Sequence, residues 1–94
     1  MIPVFWTPSA QGDLGRIDDY VFQRDPAYAY RVGIWAIEAA QFLADWPEAG
    51  GQLASGAHKW PVKGTPYLPF YRLHEGWIEV LRVRHNRENW REEA

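Results

Sequence analysis

Ninety-four residues, 47% of them hydrophobic and six of them Trp, suffice for one apolar core and are too apolar for a disordered chain. A net charge of −2 argues against a general nucleic-acid binder, because phosphate affinity is built from many cationic contacts. With zero Cys there is no disulfide framework, no thiolate nucleophile and no Cys-based zinc site.

No window approaches the roughly 18 consecutive apolar residues of a membrane span, and no basic-then-apolar leader opens the chain. The expectation is a single domain over residues 1–94, cytoplasmic and without a membrane partner. Its charge is unevenly spread. Residues 1–56 carry −4, residues 57–91 carry +4, and Glu92 and Glu93 supply the remainder. A basic half is either a plain solvated face or a surface for an anionic partner.

Ile2 to Trp6 is a short apolar run and predicts a first strand. Thr7-Pro8 then reads as a helix N-cap followed by Pro at the first helical position. Behind it Ala10, Leu14, Ile17 and Val21 recur at helical spacing and define one buried stripe. Gly12 and Gly15 each weaken that helix by about 1 kcal/mol relative to Ala, so packing must hold it. Asp25-Pro26 repeats the cap signal. Tyr28, Val32, Trp35, Ala39, Phe42 and Trp46 continue the period until Pro47 and Gly50-Gly51 end the second helix. Both Trp35 and Trp46 are expected in the core, and the brief break between the helices predicts a helical hairpin.

After Gly56 the pattern turns to β. His58 to Lys63 predicts a strand in which Pro61 removes one ladder donor and favours an edge or a bulge. Tyr67 to Leu73 predicts another, interrupted by Pro69, and Trp77 to His85 a third, joined to it by a turn at Glu75-Gly76. The apolar positions of that last strand change parity between Val80 and Leu81, so either both faces are covered or a bulge sits there. The fold class is α+β with the order β-α-α-β-β-β, an antiparallel sheet carrying the helical hairpin on one face.

A core strand explains Ile78, Val80, Leu81 and Val83, but not the cationic and aromatic cluster at its end: Arg82, Arg84, His85, Arg87 and Trp90. Arg72 is expected either to pair with an acid such as Glu79 or to join that cluster. His58, His74 and His85 are too scattered for a metal site, and no phosphate loop, nucleophile elbow or paired-carboxylate motif is present. No metal and no cofactor are expected.

In their order and spacing these pieces resemble the ParE branch of the RelE/ParE superfamily, the toxins of bacterial type II toxin–antitoxin modules, also called plasmid-stabilisation proteins. The resemblance runs from Trp6-Thr7-Pro8-Ser9-Ala10, with Asp13, Leu14, Ile17 and Tyr20, through the Ala-rich second helix ending near Pro47. It continues in Gly64-Thr65-Pro66-Tyr67, Tyr71-Arg72 and Ile78 to Val83, and ends at His85 and Trp90. It implies the fold already read from periodicity, and a toxin neutralised by a cognate ParD-like antitoxin of ribbon-helix-helix type, with DNA gyrase as its target. The target surface it implies is Arg72, Arg82, Arg84, His85, Arg87 and Trp90. The antitoxin would cover Leu14, Ile17, Tyr20, Trp60, Tyr67 and Tyr71, with no sequence-specific nucleic-acid binding by the toxin alone.

The alternative within the same superfamily is a RelE-like, ribosome-dependent mRNA endonuclease. Cleavage through the 2′-hydroxyl needs a base, an acid and cations for the phosphorane charge. Lys59, His85 and Arg87 are the candidates. Leu68 and Asn86, however, stand where such enzymes carry arginines, and Trp90 replaces a tyrosine with a side chain that exchanges no proton. Gln52 likewise stands where many relatives carry an arginine. A toxin that acts by binding is the expectation.

Overall fold

In the computed structural model, which describes residues 1–87, the chain forms β1 (Val4–Trp6), α1 (Pro8–Phe22), α2 (Pro26–Asp45), β2 (Gly51–Gln52), β3 (His58–Lys59), β4 (Tyr67–His74) and β5 (Trp77–His85). The α+β class and the helical hairpin match the sequence reading. Both cap signals are realised. Thr7 Oγ1 accepts from the Ala10 N–H at 3.1 Å, and Asp25 Oδ1 accepts from the Tyr28 N–H at 3.1 Å, each with a proline in the first turn behind it.

The five strands lie in the order β1-β5-β4-β3-β2. The sheet is mixed, not antiparallel throughout: β1 runs parallel to β5, with Val4 opposite Ile78 and Trp6 opposite Val80. Parallel neighbours need a long connection, and here everything from α1 to β4 lies between them. The predicted His58–Lys63 strand contracts to His58–Lys59. Beyond it the pairing with β4 becomes irregular around Pro61, kept by Trp60 N–H to the Pro69 carbonyl at 3.0 Å and Val62 N–H to the Tyr67 carbonyl at 3.1 Å.

The parity change in β5 is a bulge. Tyr71 faces Val80 while Phe70 faces Arg82, which leaves Leu81 as the extra residue. Opposed residues share a face, so Ile78, Val80 and Val83 all reach the helix side together with Leu73, Tyr71 and Pro69. There they meet Ala29, Val32 and Leu43 of α2 and the α1 residues Ala10 and Val21. Each fully buried side chain such as Leu43, Ile78 or Val80 stabilises the fold by about 2 kcal/mol.

Trp46 departs from the expected core position and is 64% exposed. The helix stops one residue earlier, and at φ −129°, ψ 67° the cap backbone turns the indole off the helical stripe. Trp35 is half-buried and packs on the core edge-to-face with Tyr28, ring centroids 6.3 Å apart.

Candidate functional site

Two surfaces emerge, one on each side of the sheet. On the helix side, α1, α2 and β1 enclose an apolar groove of about 700 Å³, walled by Leu14 and Ile17 of α1, Val32 and Ile37 of α2, and Trp6. Among the described residues that line it, the polar side chains are Gln11 and Asp18. Gly15 and Gly33 explain why it stays open: both line it, and a Cβ added to either would meet nothing within 4 Å. The two helices accept the cost of glycine in their interiors, and the groove keeps its width. Beside it β1 is an edge strand, paired among the described residues on its β5 side alone.

The residues expected to meet an antitoxin divide here. Leu14 and Ile17 form the groove wall. Tyr20 is exposed near its end, with the Arg24 guanidinium 3.7 Å above the ring. Trp60 stacks on Phe42 at 5.1 Å, away from the groove. Tyr67 and Tyr71 are core residues. Tyr71 is 0% exposed, its hydroxyl donating to the Pro47 carbonyl and accepting from the Gly50 N–H, both at 2.9 Å. Tyr71 therefore has no surface to offer a partner, and Tyr67, 8% exposed, has little.

On the opposite face the register gathers cations. Lys59 lies beside Phe70 and Phe70 beside Arg82; Arg84 lies beside Leu68, and Arg72 beside Glu79. Leu68 and Phe70 are buried at the centre of this face with Leu53 packed against them. Glu79 does not pair with Arg72: its Oε1 lies 2.9 Å from His74 Nε2. His85 belongs to the other side. It is opposite Tyr67 and meets that ring edge-on at 5.5 Å, and its Nδ1 accepts the Arg87 N–H at 3.0 Å, which leaves the proton of a neutral ring on Nε2. Lys59 and His85, two of the three candidates for endonuclease chemistry, therefore start from opposite faces. Trp90 lies outside the described residues. Among the described residues no group of three or more His, Asp or Glu comes together to hold a metal ion.

Arg82, expected at the target surface, turns its guanidinium to Asp13 of α1. Nε donates to Oδ2 at 2.8 Å and Nη2 to Oδ1 at 3.0 Å, while the Val83 N–H donates to Oδ2 at 2.9 Å. Arg16, one turn along α1, donates to Oδ1 as well. Burial alone would push the Asp13 carboxyl up. The Arg82 hydrogen bonds, the Val83 N–H and the charges of Arg82 and Arg84 outweigh it and hold the group below its ordinary value. In the sequence Asp13 stands out only as part of the family motif. The one signal available was a carboxylate next to the predicted stripe of α1, which looks the same whether the residue is solvated or buried.

This fold recurs in solved toxin structures. The chromosomal ParDE system from P. aeruginosa matches with a TM-score of 0.78 at 21% identity, over 90% of this chain and 96% of that one. The toxin–antitoxin complex RelBE2 from Mycobacterium tuberculosis matches with a TM-score of 0.65 at 25% identity, over 89% and 96%. The architecture is thus that of the ParE/RelE toxins. By sequence, the family described as the ParE toxin of type II toxin–antitoxin system, parDE, matches residues 4–90. Toxin RelE2 of Caulobacter vibrioides is 36% identical over 85 residues, covering 90% of this chain and 96% of that protein. The chain belongs to the ParE toxin family of type II toxin–antitoxin systems.

Proposed function

We propose that this toxin is neutralised by a ParD-like, ribbon-helix-helix antitoxin that fills the groove between α1, α2 and β1, and that the free toxin arrests growth by binding DNA gyrase rather than by breaking bonds. The observation that carries the first part is the groove itself. An apolar trough between two helices accepts the apolar face of a partner helix, and the free edge of β1 beside it accepts an extended segment. The similar solved structures are a ParDE toxin–antitoxin system and the RelBE2 toxin–antitoxin complex, which supports an antitoxin as the partner. The second part rests on the cationic outer face, where Arg72 and Arg84 flank the buried Leu68 and Phe70, and on Arg87 and Trp90, which come after β5 in the sequence.

The alternative, a ribosome-dependent endonuclease, is less well supported because Lys59 and His85 start from opposite faces, and Leu68 stands where the resemblance implies an arginine. Induction without antitoxin should arrest growth, and co-expressed antitoxin should restore it. Purified toxin should then inhibit gyrase supercoiling, while primer extension on cellular transcripts should find no codon-phased cuts. Untouched supercoiling together with phased cuts would transfer the assignment to the endonuclease.

A further inference from the structure

Asp13 is a buried carboxylate that neither proposed surface uses directly. It is 4% exposed, yet it sits on α1 beside the groove wall and reaches across to the strand that carries the basic face. The reason lies in the topology. β1 ends opposite Val80, so among the described residues no strand lies along the outer edge of β5 beyond that point, while β4 continues on the other side. Two side chains take the strand's place. Thr7 Oγ1 donates to the Leu81 carbonyl at 3.0 Å, and Asp13 Oδ2 accepts the Val83 N–H at 2.9 Å. The bulge at Leu81 supplies the offset that turns these groups toward α1. The hydrogen bond satisfies an edge donor and fixes the orientation of the peptide joining Arg82 to Val83, one residue before Arg84.

We propose that Asp13 is a positioning residue of the toxin: by standing in for a missing strand and holding Arg82 in its fork, it sets where Arg84 projects on the target-binding face. The proposal rests on the reading of that face as the target surface. A planar guanidinium gripped through two nitrogens defines a direction as well as a distance, which a single charge pair would not. The effect of Asp13 on the target is therefore exerted through β5, with no contact of its own.

The test compares full-length toxin with Asp13→Ala, which removes both the acceptor for the Val83 N–H and the charge that grips Arg82. In the wild type, hydrogen exchange should find the Val83 amide protected as strongly as amides in the middle of β4. In the variant that protection and the slowed exchange of the Arg82 Nε–H should be lost. The toxin concentration for half-inhibition of supercoiling should rise about tenfold. Antitoxin affinity, read by calorimetry, should change less than about threefold. Unchanged potency with the Val83 and Arg82 signals displaced would make Asp13 a merely structural residue. A gain in potency would show that it only neutralises Arg82. Either result overturns the proposal, as does rapid exchange at Val83 in the wild type, a measurement that needs no variant to fold. If the wild-type toxin leaves gyrase untouched, the gyrase assignment fails separately. The same comparison is then read as growth arrest, where equal arrest by both proteins overturns the role of Asp13.

Discussion

Tyr71 and Gly50 are built against each other. The Tyr71 hydroxyl takes the Gly50 N–H at 2.9 Å, and a Cβ added at Gly50 would lie 2.5 Å from that oxygen and 2.7 Å from the Lys59 carbonyl. The contact ties the loop after α2 to the centre of the sheet, through a side chain that is itself wholly buried. Gly50→Ala should therefore cost about 1–3 kcal/mol by overpacking, and Tyr71→Phe about 1–3 kcal/mol by stranding the Gly50 N–H and the Pro47 carbonyl. Urea unfolding measures both. A Gly50→Ala protein that unfolds at the wild-type midpoint would contradict the close approach.

The same phenol predicts the alkaline limit of stability. Burial holds the Tyr71 hydroxyl above its ordinary value; the Gly50 N–H pulls it down, and the nearby Glu48 charge adds to the rise. A folded-state value above the unfolded one means the stabilisation is complete below about pH 10 and is lost as the pH climbs through the folded value. Unfolding free energy measured from pH 8 upward should fall for the wild type and fall less for Tyr71→Phe.

Asp13 predicts the acid limit with the opposite sign. Its carboxyl is held below the ordinary value, so the stabilisation is present above about pH 4, the unfolded value, and disappears as the pH drops through the lower folded value. Asp13→Asn should start less stable at pH 7 and then show a flatter decline toward pH 2. Parallel curves for the two proteins would mean that the group titrates alike folded and unfolded.

The groove can be filled without disturbing the core. Because a Cβ at Gly15 or Gly33 would project into open space, Gly33→Leu should raise helix stability by about 0.5–1 kcal/mol. It should also obstruct a helix docking in the groove and weaken antitoxin binding by about tenfold or more. Thermal unfolding and calorimetry together separate the two effects. Antitoxin binding at wild-type strength by a well-folded Gly33→Leu protein would place the antitoxin elsewhere.

Thr7 serves two masters, capping α1 and holding the bulge carbonyl of Leu81. Thr7→Ala should cost about 1–2 kcal/mol, at the upper end for a cap, and Thr7→Ser should restore most of it. Equal losses in the alanine and serine proteins would point to the threonine methyl instead of its hydroxyl.

Local signals in the chain determined the helices, their caps at Thr7 and Asp25, the hairpin turn at Glu75-Gly76 and the disruption near Leu81, because capping, period and turn chemistry act over a few residues. The family also showed in the chain, through the order of its motifs. Tertiary structure alone decided that β1 runs parallel beside β5, that Trp46 turns outward and that Tyr71 is sealed in the core. It also decided which cations share a face. A bulge moves every later residue of its strand to the other side, so Arg82 and Arg84 join Lys59 while His85 does not. Asp13 is the sharpest case: a carboxylate's burial depends on donors that arrive from about seventy residues away, and no local pattern records them.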